Sequence, residues 1–469
     1  MTPSTLQSAS TSPYELALTG ARIARSSQIA APLSIHLRGS RVDSVYSPQA
    51  SPLHAAPIDL SGYLVLPGLI NAHDHLDFSL YPQLGRGPYP SWREWAADIY
   101  HPRQSPIREL LELPRELRFW WGGIRNLLSG VTTVSQHDRY LPEVLGSGFP
   151  IHVPAEYGWA HSMMDLPNVA RRFHQTPADW PFLIHLAEGT DPAASREFDD
   201  LAATVPLDSR IGLVHAVGLT PTQWETVRRC NVGVVWCPLS NIFTLDQTLP
   251  LRQVQSLSNV ALGTDSPLTA AGDLLDHIRF LHDALRVPPA LLYLLVTTRA
   301  ARLLRLSDGQ GQLEPGSRAS LIAVRDRHTT PANTLVESAW TDIELVIESG
   351  RIVLLSPVLA ANLPSELTSH LEIIRIDGTQ RLIYAPVAHL VRQTSITLGS
   401  SFRLSGRQVA LHPNQPPLRF LPESVSANCL HFVNEMSFRP DSMAFWAEEG
   451  DNGTRGKAHS PRAGCKSPP

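Results

Sequence analysis

The chain has 469 residues, of which 17% are charged, and a formal net charge of −4 with histidine counted as neutral. This length has room for about three units of ~150 residues and for a large core. The small net charge offers no strong field to nucleic acid or to an anionic membrane, so we expect neither as a partner. Lys457 and Lys466 are the only lysines. Residues 1–456 therefore contain no lysine that could form a Schiff base, bind phosphate or, once carboxylated, bridge two metals.

The cysteines and the apolar segments indicate a cellular location. The four cysteines lie far apart and include no Cys-x-x-Cys pair, which favours a reducing, cytoplasmic environment. Residues 1–12 are polar, without a positive flank or an apolar run, and predict no signal peptide. No stretch reaches the roughly 18 apolar residues of a membrane span, so we expect none.

The N-terminal residues predict short strands. Apolar and polar residues alternate between residues 14 and 46, with turns at Gly20 and Gly39, and an apolar run follows at 65–73. From there to about Leu306, apolar strands alternate with segments of helical period. The strands are predicted at 131–135, 151–154, 182–186, 211–214, 232–236 and 260–263, and the clearest helices at 107–128, 221–229 and 274–285. Alternation over about 240 residues is typical of a parallel α/β domain, and a (β/α)8 barrel is its simplest form at this length.

Short strands return after Leu306, at 320–324, 343–348 and 351–354. Strands thus flank the barrel on both sides, which predicts an α/β protein whose TIM-like (β/α)8 barrel is inserted in a small β-sandwich built from both flanks. The remaining C-terminal residues show no regular pattern and predict a partly disordered tail. The predicted units are 1–66 and 307–388 for the β domain, 67–306 for the barrel and 389–469 for the irregular tail.

The strongest local signal is His73-Asp74-His75 at the end of an apolar strand. Residues two apart on a strand point to the same side, so both imidazoles would face one site. Neutral imidazole is the commonest metal ligand, and the carboxyl ends of barrel strands carry the catalytic residues. Taken alone, the segment could equally be polar residues in a loop.

Three further predicted strands end in ionisable residues. His185 lies near the end of the strand at 182–186, with Glu188 three residues later, while His215 and Asp265 follow two later strands. Singly, each histidine could be a core residue and Asp265 the N-cap of the next helix. Four strands with such ends, converging on one barrel mouth, indicate a shared site instead. Three histidines and an aspartate suit a single Zn-like ion with an open position for water.

These segments follow an order that resembles the amidohydrolase superfamily, in its cytosine-deaminase and triazine-hydrolase-like branch. The resemblance spans about residues 14–355 and rests on LPGLINAHDH at 66–75, GVTTV at 130–134, HLAE at 185–188, LVH at 213–215, CPLSN at 237–241, LGTDS at 262–266, GQLEPGS at 311–317 and VIESGRIV at 346–353. It implies a metal-dependent hydrolase with a mononuclear centre, and the absence of lysine before residue 457 agrees with a centre that lacks a bridging lysine.

The resemblance also implies a role for each site residue. His215 would hydrogen-bond the attacking water, Asp265 would accept the proton of that water, and Glu188 would protonate a ring or amide nitrogen of the substrate. One divalent ion per chain, Zn2+ or alternatively Fe2+, would be bound by His73, His75, His185 and Asp265.

The sequence departs from the family pattern between the third and fifth strands. Only 24 residues lie between Glu156 and Pro181, too few for a complete helix, strand and helix. Strand 4 is therefore predicted to be short, irregular or missing.

Weaker candidates for substrate contact follow several strand ends, and loop, capping or packing roles explain them equally well. They are His137, Glu156, Trp159, Trp236 and Asn241. The loop after the first barrel strand also carries aromatic residues that would suit a planar substrate or simply pack together. These are Phe78, Tyr81, Trp92 and Trp95.

The leading expectation is hydrolysis of a non-peptide carbon–nitrogen bond of a small molecule, in the form of deamination of an aminated heterocycle. The same residues could instead open a cyclic amide or displace a halide or an alkylamino group. A third interpretation, of another class, is a metal-binding scaffold without activity. The complete set of six site residues argues against it, because a decayed site would have lost at least one. The sequence leaves a homo-oligomer open.

Overall fold

A computed structural model describes residues 15–47, 55–146 and 148–411 of the chain. The N-terminal strands predicted from alternation are present, because their apolar residues pack into a shared core. They are β1 (Glu15–Thr19), β2 (Arg22–Ala24), β3 (Ala30–Pro32), β4 (Ser34–Arg38), β5 (Arg41–Tyr46), β6 (Ala56–Asp59) and β7 (Tyr63–Pro67). The segment considered as a signal peptide lies outside the described residues.

The middle of the chain alternates strands and helices, as predicted. Its strands are β8 (Leu69–Asp74), β9 (Val131–Gln136), β10 (Gly158–Ala160), β11 (Phe182–Leu186), β12 (Ile211–His215), β13 (Gly233–Trp236) and β14 (Val260–Leu262). Its helices are α1 (Trp92–Ile99), α2 (Ile107–Glu112), α3 (Arg115–Leu128), α4 (Pro142–Leu145), α5 (Leu166–Gln175), α6 (Pro192–Thr204), α7 (Pro221–Arg229), α8 (Pro238–Leu245), α9 (Leu251–Ser256), α10 (Leu274–Asp283), α11 (Pro289–Leu295) and α12 (Thr298–Leu303). The single helix predicted at 107–128 is divided, since Pro114 holds Leu113 in an extended conformation.

The parallel strands form two hydrogen-bonded pieces. β8 pairs with β9, and β10 to β14 form a five-stranded sheet in chain order, with every neighbour parallel. The strand predicted at 151–154 is wrong, because only His152 bridges to Thr133. Pro150 and Pro154 flank this segment and cannot donate a backbone hydrogen bond, which limits its pairing.

The first and last parallel strands meet at their carboxyl ends. The amide nitrogens of Thr264 and Asp265, just after β14, donate to the carbonyl oxygen of His73 on β8 at 3.0 and 3.1 Å. This approach requires glycine at position 263, because a Cβ there would lie 2.7 Å from the Cβ of His73. Strand 4 is present as the three-residue β10, which confirms the prediction that it is short.

The C-terminal part extends the flanking strands into a sheet. Its strands are β15 (Leu321–Arg325), β16 (Ile343–Glu348), β17 (Arg351–Leu355), β18 (Glu372–Ile376), β19 (Thr379–Ile383), β20 (Arg403–Leu404) and β21 (Arg407–Leu411), and its helices are α13 (Pro331–Glu337), α14 (Pro357–Ala360), α15 (Ser365–Thr368) and α16 (Val387–Leu398). β7 pairs with β15, so the two flanks share one ten-stranded sheet of order β20-β21-β18-β19-β17-β16-β15-β7-β2-β3. Apolar residues of this sheet and of the four-stranded sheet β5-β4-β1-β6 form a common core.

The prediction of an irregular segment from residue 389 onward is wrong as far as residue 411. Helix α16 buries its apolar face, and Trp121 Nε1 donates to Thr394 Oγ1 in that helix at 2.8 Å. Strand β21 pairs with β18 and extends the sheet. These residues are ordered by contacts with distant parts of the chain, which a local pattern does not contain. The rest of the predicted tail, 412–469, lies outside the described residues. Within the described ranges, no helix combines the length and apolar character needed to cross a membrane.

Candidate active site

The ends of four parallel strands bring the six predicted site residues together. They form two groups, within each of which the potential ligand atoms lie within 4.8 Å of one another. The groups are His73, His75 and His185, and Glu188, His215 and Asp265. The two groups adjoin, because Asp265 Oδ1 lies 3.8 Å from His73 Nε2 and 3.7 Å from His75 Nε2.

Strand β8 separates its side chains as the alternation predicts. The rings of His73 and His75 lie 5.0 Å apart on one side. Asp74 lies on the other side, where its Oδ2 accepts a hydrogen bond from Asn126 Nδ2 at 2.6 Å and forms an ion pair with Arg125. The intervening carboxylate is therefore engaged by the scaffold, while the two imidazoles face the site.

The nitrogen atoms of His185 and His73 fit a metal ion. His185 Nδ1 donates to the carbonyl oxygen of His161 at 2.8 Å, which leaves the lone pair of neutral His185 on Nε2. That Nε2 lies 3.2 Å from His73 Nε2. Burial and then the neighbouring His137 ring hold the pKa of His73 and of His185 well below the usual range. Two neutral imidazoles in this arrangement offer lone pairs to a cation, and the donor set of nitrogen and oxygen suits Zn2+.

Asp265 is fixed by its neighbours directly after β14. Its Oδ2 accepts from Ser240 Oγ at 2.6 Å, and its Oδ1 accepts from the amide nitrogen of Ser266 at 2.7 Å. The backbone of Asp265 has a φ of 58°, in the left-handed region that costs energy for any residue with a Cβ. Such a conformation persists where surrounding contacts enforce it, as is common at functional sites.

His215 lies between an orienting amide and a carboxylate. Its Nδ1 is 2.7 Å from Asn241 Oδ1, and its Nε2 is 3.4 Å from Glu188 Oε2. The backbone of His215 and of the following Ala216 is left-handed, with φ values of 72° and 57°. At this turn the imidazole of His215 faces the carboxyl group of Glu188.

Glu188 sits in an environment that favours its protonated form. Burial, followed by the charge of Asp265, raises the pKa of the Glu188 carboxyl well above its ordinary value. The residue before it, Ala187, also has a left-handed backbone, with a φ of 53°. Its amide nitrogen donates to Glu197 Oε2 at 2.8 Å, and Glu197 Oε1 accepts from Arg93 at 2.8 Å. A buried carboxylate thus holds the turn that carries Glu188.

Both groups contribute residues to the lining of one cavity. His75, His185, Glu188, His215 and Asp265 line it together with Ser266 and His161. The rest of its wall is mostly aromatic and aliphatic and includes Phe78, Trp92, Trp95, Ile99, Tyr100 and Leu268. Three of the four aromatic residues noted in the sequence thus line the cavity, whereas Tyr81 packs against Phe78 with ring centroids 5.3 Å apart.

The five weaker candidates are not among the residues that line this cavity. His137 Nε2 donates to the carbonyl oxygen of Ala160 at 3.1 Å, and its ring lies against His185. Trp236 Nε1 donates to Thr248 Oγ1 at 2.8 Å.

The other three candidates also have structural partners. Glu156 is exposed, and its Oε2 accepts from the amide nitrogen of Ala155. Trp159 packs under Arg172, whose guanidinium carbon lies 4.8 Å from the ring centroid. Asn241 reaches the site indirectly, through His215. As substrate contacts these five residues stay predictions, and the positions found favour supporting roles.

His161 was missed by the sequence reasoning. It follows β10 directly, lines the cavity, and its ring packs edge-on against Trp92 at 5.5 Å. Burial lowers the pKa of its imidazole to about 3. Its position at the end of a parallel strand was the available signal, but the short strand 4 hid it.

The sequence of this chain is similar to that of known enzymes. Residues 178–353 match the amidohydrolase family. The similarity to that family lies in this segment. The chain is 26% identical over 370 residues to the 5-methylthioadenosine/S-adenosylhomocysteine deaminase of Pyrococcus furiosus, with 64% of this chain and 85% of the relative covered. It is 25% identical to the protein of that name from Moorella thermoacetica, with 63% and 83% covered.

Solved structures resemble this chain in fold. The zinc-bound adenosine deaminase from Xanthomonas campestris has a TM-score of 0.61 and 17% identity, with 74% of this chain and 97% of that one covered. The zinc-bound atrazine chlorohydrolase from Arthrobacter aurescens has a TM-score of 0.64 and 19% identity, with 81% and 99% covered. The family match and these neighbours show a fold of the TIM-barrel type with accompanying sheets and helices.

Proposed function

We propose that this chain is a metal-dependent enzyme that deaminates an aminated heterocycle by hydrolysing a carbon–nitrogen bond outside a peptide. The observation that carries the proposal is the set of two adjoining groups, three histidines beside a Glu–His–Asp group, at one end of an aromatic cavity. The relatives named as deaminases of adenosine derivatives support the same reaction class.

One divalent ion per chain, zinc in preference to iron, would be held at the junction of the two groups. When bound, such an ion lowers the pKa of a water molecule towards neutrality and so provides a nucleophile. Three nitrogen ligands and one oxygen ligand match the preference of Zn2+ and leave an open position. The proposed ligands are His73, His75, His185 and Asp265.

The proton transfers are assigned to residues that face the cavity. Asp265 would take a proton from the attacking water, and its two hydrogen-bonded oxygens keep the carboxylate in place. His215, held by Asn241, would orient that water. Glu188, which lies 3.4 Å from His215, would deliver a proton to a ring nitrogen. The proton that Asp265 takes from the water would pass to the amino group, which leaves as ammonia, and the remaining proton of the hydroxyl group would return to Glu188 as the carbonyl forms.

We also propose that the parallel strands form a closed barrel over residues 67–306, inserted between 1–66 and 307–388. The hydrogen bonds from Thr264 and Asp265 to His73 and the pairing of β7 with β15 support this division. A cytoplasmic location and a homo-oligomer stay predictions.

Metal analysis of the purified protein is the first test. We expect close to one zinc per chain, and a protein that contains no metal and takes up none would contradict the proposal. Treatment with a chelator should abolish activity, and added zinc should restore it.

A screen for released ammonia separates the reactions that the site could perform. Aminopurine nucleosides, aminopyrimidines and aminotriazines test deamination, while chlorotriazines, alkylaminotriazines and cyclic amides test the other leaving groups. Ammonia from an amino-substituted ring supports the proposal. Release of chloride or alkylamine alone, or ring opening alone, would replace deamination by one of the alternatives, and a loaded protein without any turnover would indicate a scaffold.

A further inference from the structure

The cavity has one apolar wall that comes from a single helix. Helix α1 contributes Trp92, Trp95, Ala96 and Ile99, which are spaced as one face of a helix. The helix is fixed to the site, because the amide nitrogen of Trp92 donates to the carbonyl oxygen of Glu188 at 3.1 Å. This wall of the cavity is therefore apolar and held in place.

Among the described residues that line the cavity, none is an arginine or a lysine. Trp95 Nε1 is engaged, since it donates to the carbonyl oxygen of Leu84 at 2.9 Å. His161 packs its ring edge-on against Trp92. The polar groups that remain are mostly those assigned to metal and proton transfer, with Tyr100 and Ser266 as neutral additions.

A negatively charged substituent of a substrate would find no cationic side chain on this wall to pair with. Moving a carboxylate from water into apolar surroundings costs several kcal/mol unless a cation or several donors compensate it. An apolar substituent instead gains free energy from the same burial.

We propose that the site accepts aminated heteroaromatic compounds whose substituents carry no charge and end in an apolar group, and that it rejects those whose substituent ends in a carboxylate. This inference rests on the proposed deaminase function and narrows its substrate class. The two compounds in the name of the relatives, 5-methylthioadenosine and S-adenosylhomocysteine, differ at one end. The first ends in a methyl group, and the second carries an amino-acid group in its place. We therefore expect this chain to accept the first compound and to reject the second.

Two guanidinium groups lie close to this wall, and the nearer one is already paired. The guanidinium carbon of Arg93 lies 5.7 Å from the ring centroid of Trp92, and Arg93 forms an ion pair with Glu197. Arg86 lines a more open groove with Asp98 and His101, which shares only Ile99 with the cavity. All three polar residues are exposed, so water screens their charges. Ile99 thus lines both the cavity and the open groove that contains Arg86.

The test compares 5-methylthioadenosine with S-adenosylhomocysteine on the zinc-loaded protein. We expect kcat/KM for the methylthio compound to be higher by on the order of a hundredfold. In parallel, calorimetry measures binding of both compounds to zinc-loaded Glu188→Gln, which we expect to bind the methylthio compound at least about tenfold more tightly. Equal affinities, or tighter binding of the carboxylate compound, would overturn the inference.

Position 99 gives a matched pair of variants. Ile99→Arg places a guanidinium at the wall shared by the cavity and the open groove, where it can pair with a carboxylate. We expect the ratio of the two kcat/KM values, S-adenosylhomocysteine over 5-methylthioadenosine, to rise by about tenfold or more. Ile99→Gln has a polar side chain without charge and should leave the ratio within about threefold. The same ratio in both variants would contradict the role of charge.

The two proposals fail in different ways. If the zinc-loaded protein released ammonia from neither compound, the proposal that it deaminates these nucleosides would be wrong. The ratio of the two affinities for Glu188→Gln would still decide the selectivity. If both compounds were deaminated equally well and Arg86→Ala removed only the activity on S-adenosylhomocysteine, the deaminase function would stand and the uncharged-substrate inference would be wrong.

Discussion

The two sides of strand β8 use buried polar residues in opposite ways. On one side, Asp74 is surrounded by donors from Arg125, Asn126 and Asn71. On the other, His73 and His185 direct nitrogen atoms at each other across 3.2 Å. Both sides are almost completely buried, so burial alone does not distinguish them.

The difference lies in what compensates each buried group. Asp74 Oδ2 receives several hydrogen bonds from the protein, so this carboxylate acts as part of the scaffold. The Nε2 atoms of neutral His73 and His185 face each other as two lone pairs without a donor between them, and a cation supplies the missing compensation. A buried polar cluster without protein partners is therefore the more informative sign of a ligand site.

The largest effect is expected on the imidazole side. His73→Ala should reduce the zinc content from about one to below about 0.1 per chain and lower kcat/KM by about a thousandfold or more, since the nucleophile is lost with the ion. Metal analysis and initial rates measure both. His174→Ala removes an exposed histidine and is the control. Unchanged metal content in His73→Ala would show that the ligand assignment is wrong.

Glu188→Gln should separate chemistry from metal binding. The amide keeps the size of the side chain and cannot transfer a proton, so kcat should fall by about a hundredfold to ten-thousandfold. The zinc content should stay near that of the unchanged protein. Loss of zinc in this variant would show that Glu188 binds the metal and that its assignment to proton transfer is wrong.

Asp74→Ala tests the scaffold side of the strand. It leaves Arg125 buried beside an empty position, and the free energy of unfolding should fall by about 3–5 kcal/mol. Chemical denaturation of the chelator-treated protein measures this without a contribution from metal. The exposed Asp179→Ala is the control and should change stability by less than about 0.5 kcal/mol. A loss similar to the control would mean that Asp74 is not part of a structural ion pair.

The smallest effect is expected at Glu197, which we assign as a positioning residue. Its carboxylate holds the amide nitrogen of Ala187 and the guanidinium of Arg93, so Glu197→Ala should lower kcat by about tenfold while the zinc content stays constant. Glu197→Gln retains one acceptor oxygen and should recover part of the rate. If both variants matched the unchanged enzyme, the turn at Ala187 would not depend on this contact.

Much of the fold could be predicted because strand and helix periods are local. The strand Phe182–Leu186 and the helix Pro221–Arg229 have the predicted bounds, since each has a clear apolar pattern and end signals such as Thr220 and Pro221. The segment at 151–154 and residues 389–411 were mispredicted. Their structure depends on which distant residues pair with them.

The sequence by itself determined the chemistry available to this protein. Without lysine before residue 457, and with His73, His75, His185 and Asp265 at strand ends, it excluded a lysine-bridged pair of metals and indicated one ion. The tertiary structure decided what surrounds that chemistry. Only folding places the apolar face of α1 and the ring of His161 around the same cavity, because the residues that line a pocket come from distant segments, and their distances and partners do not exist in the unfolded chain.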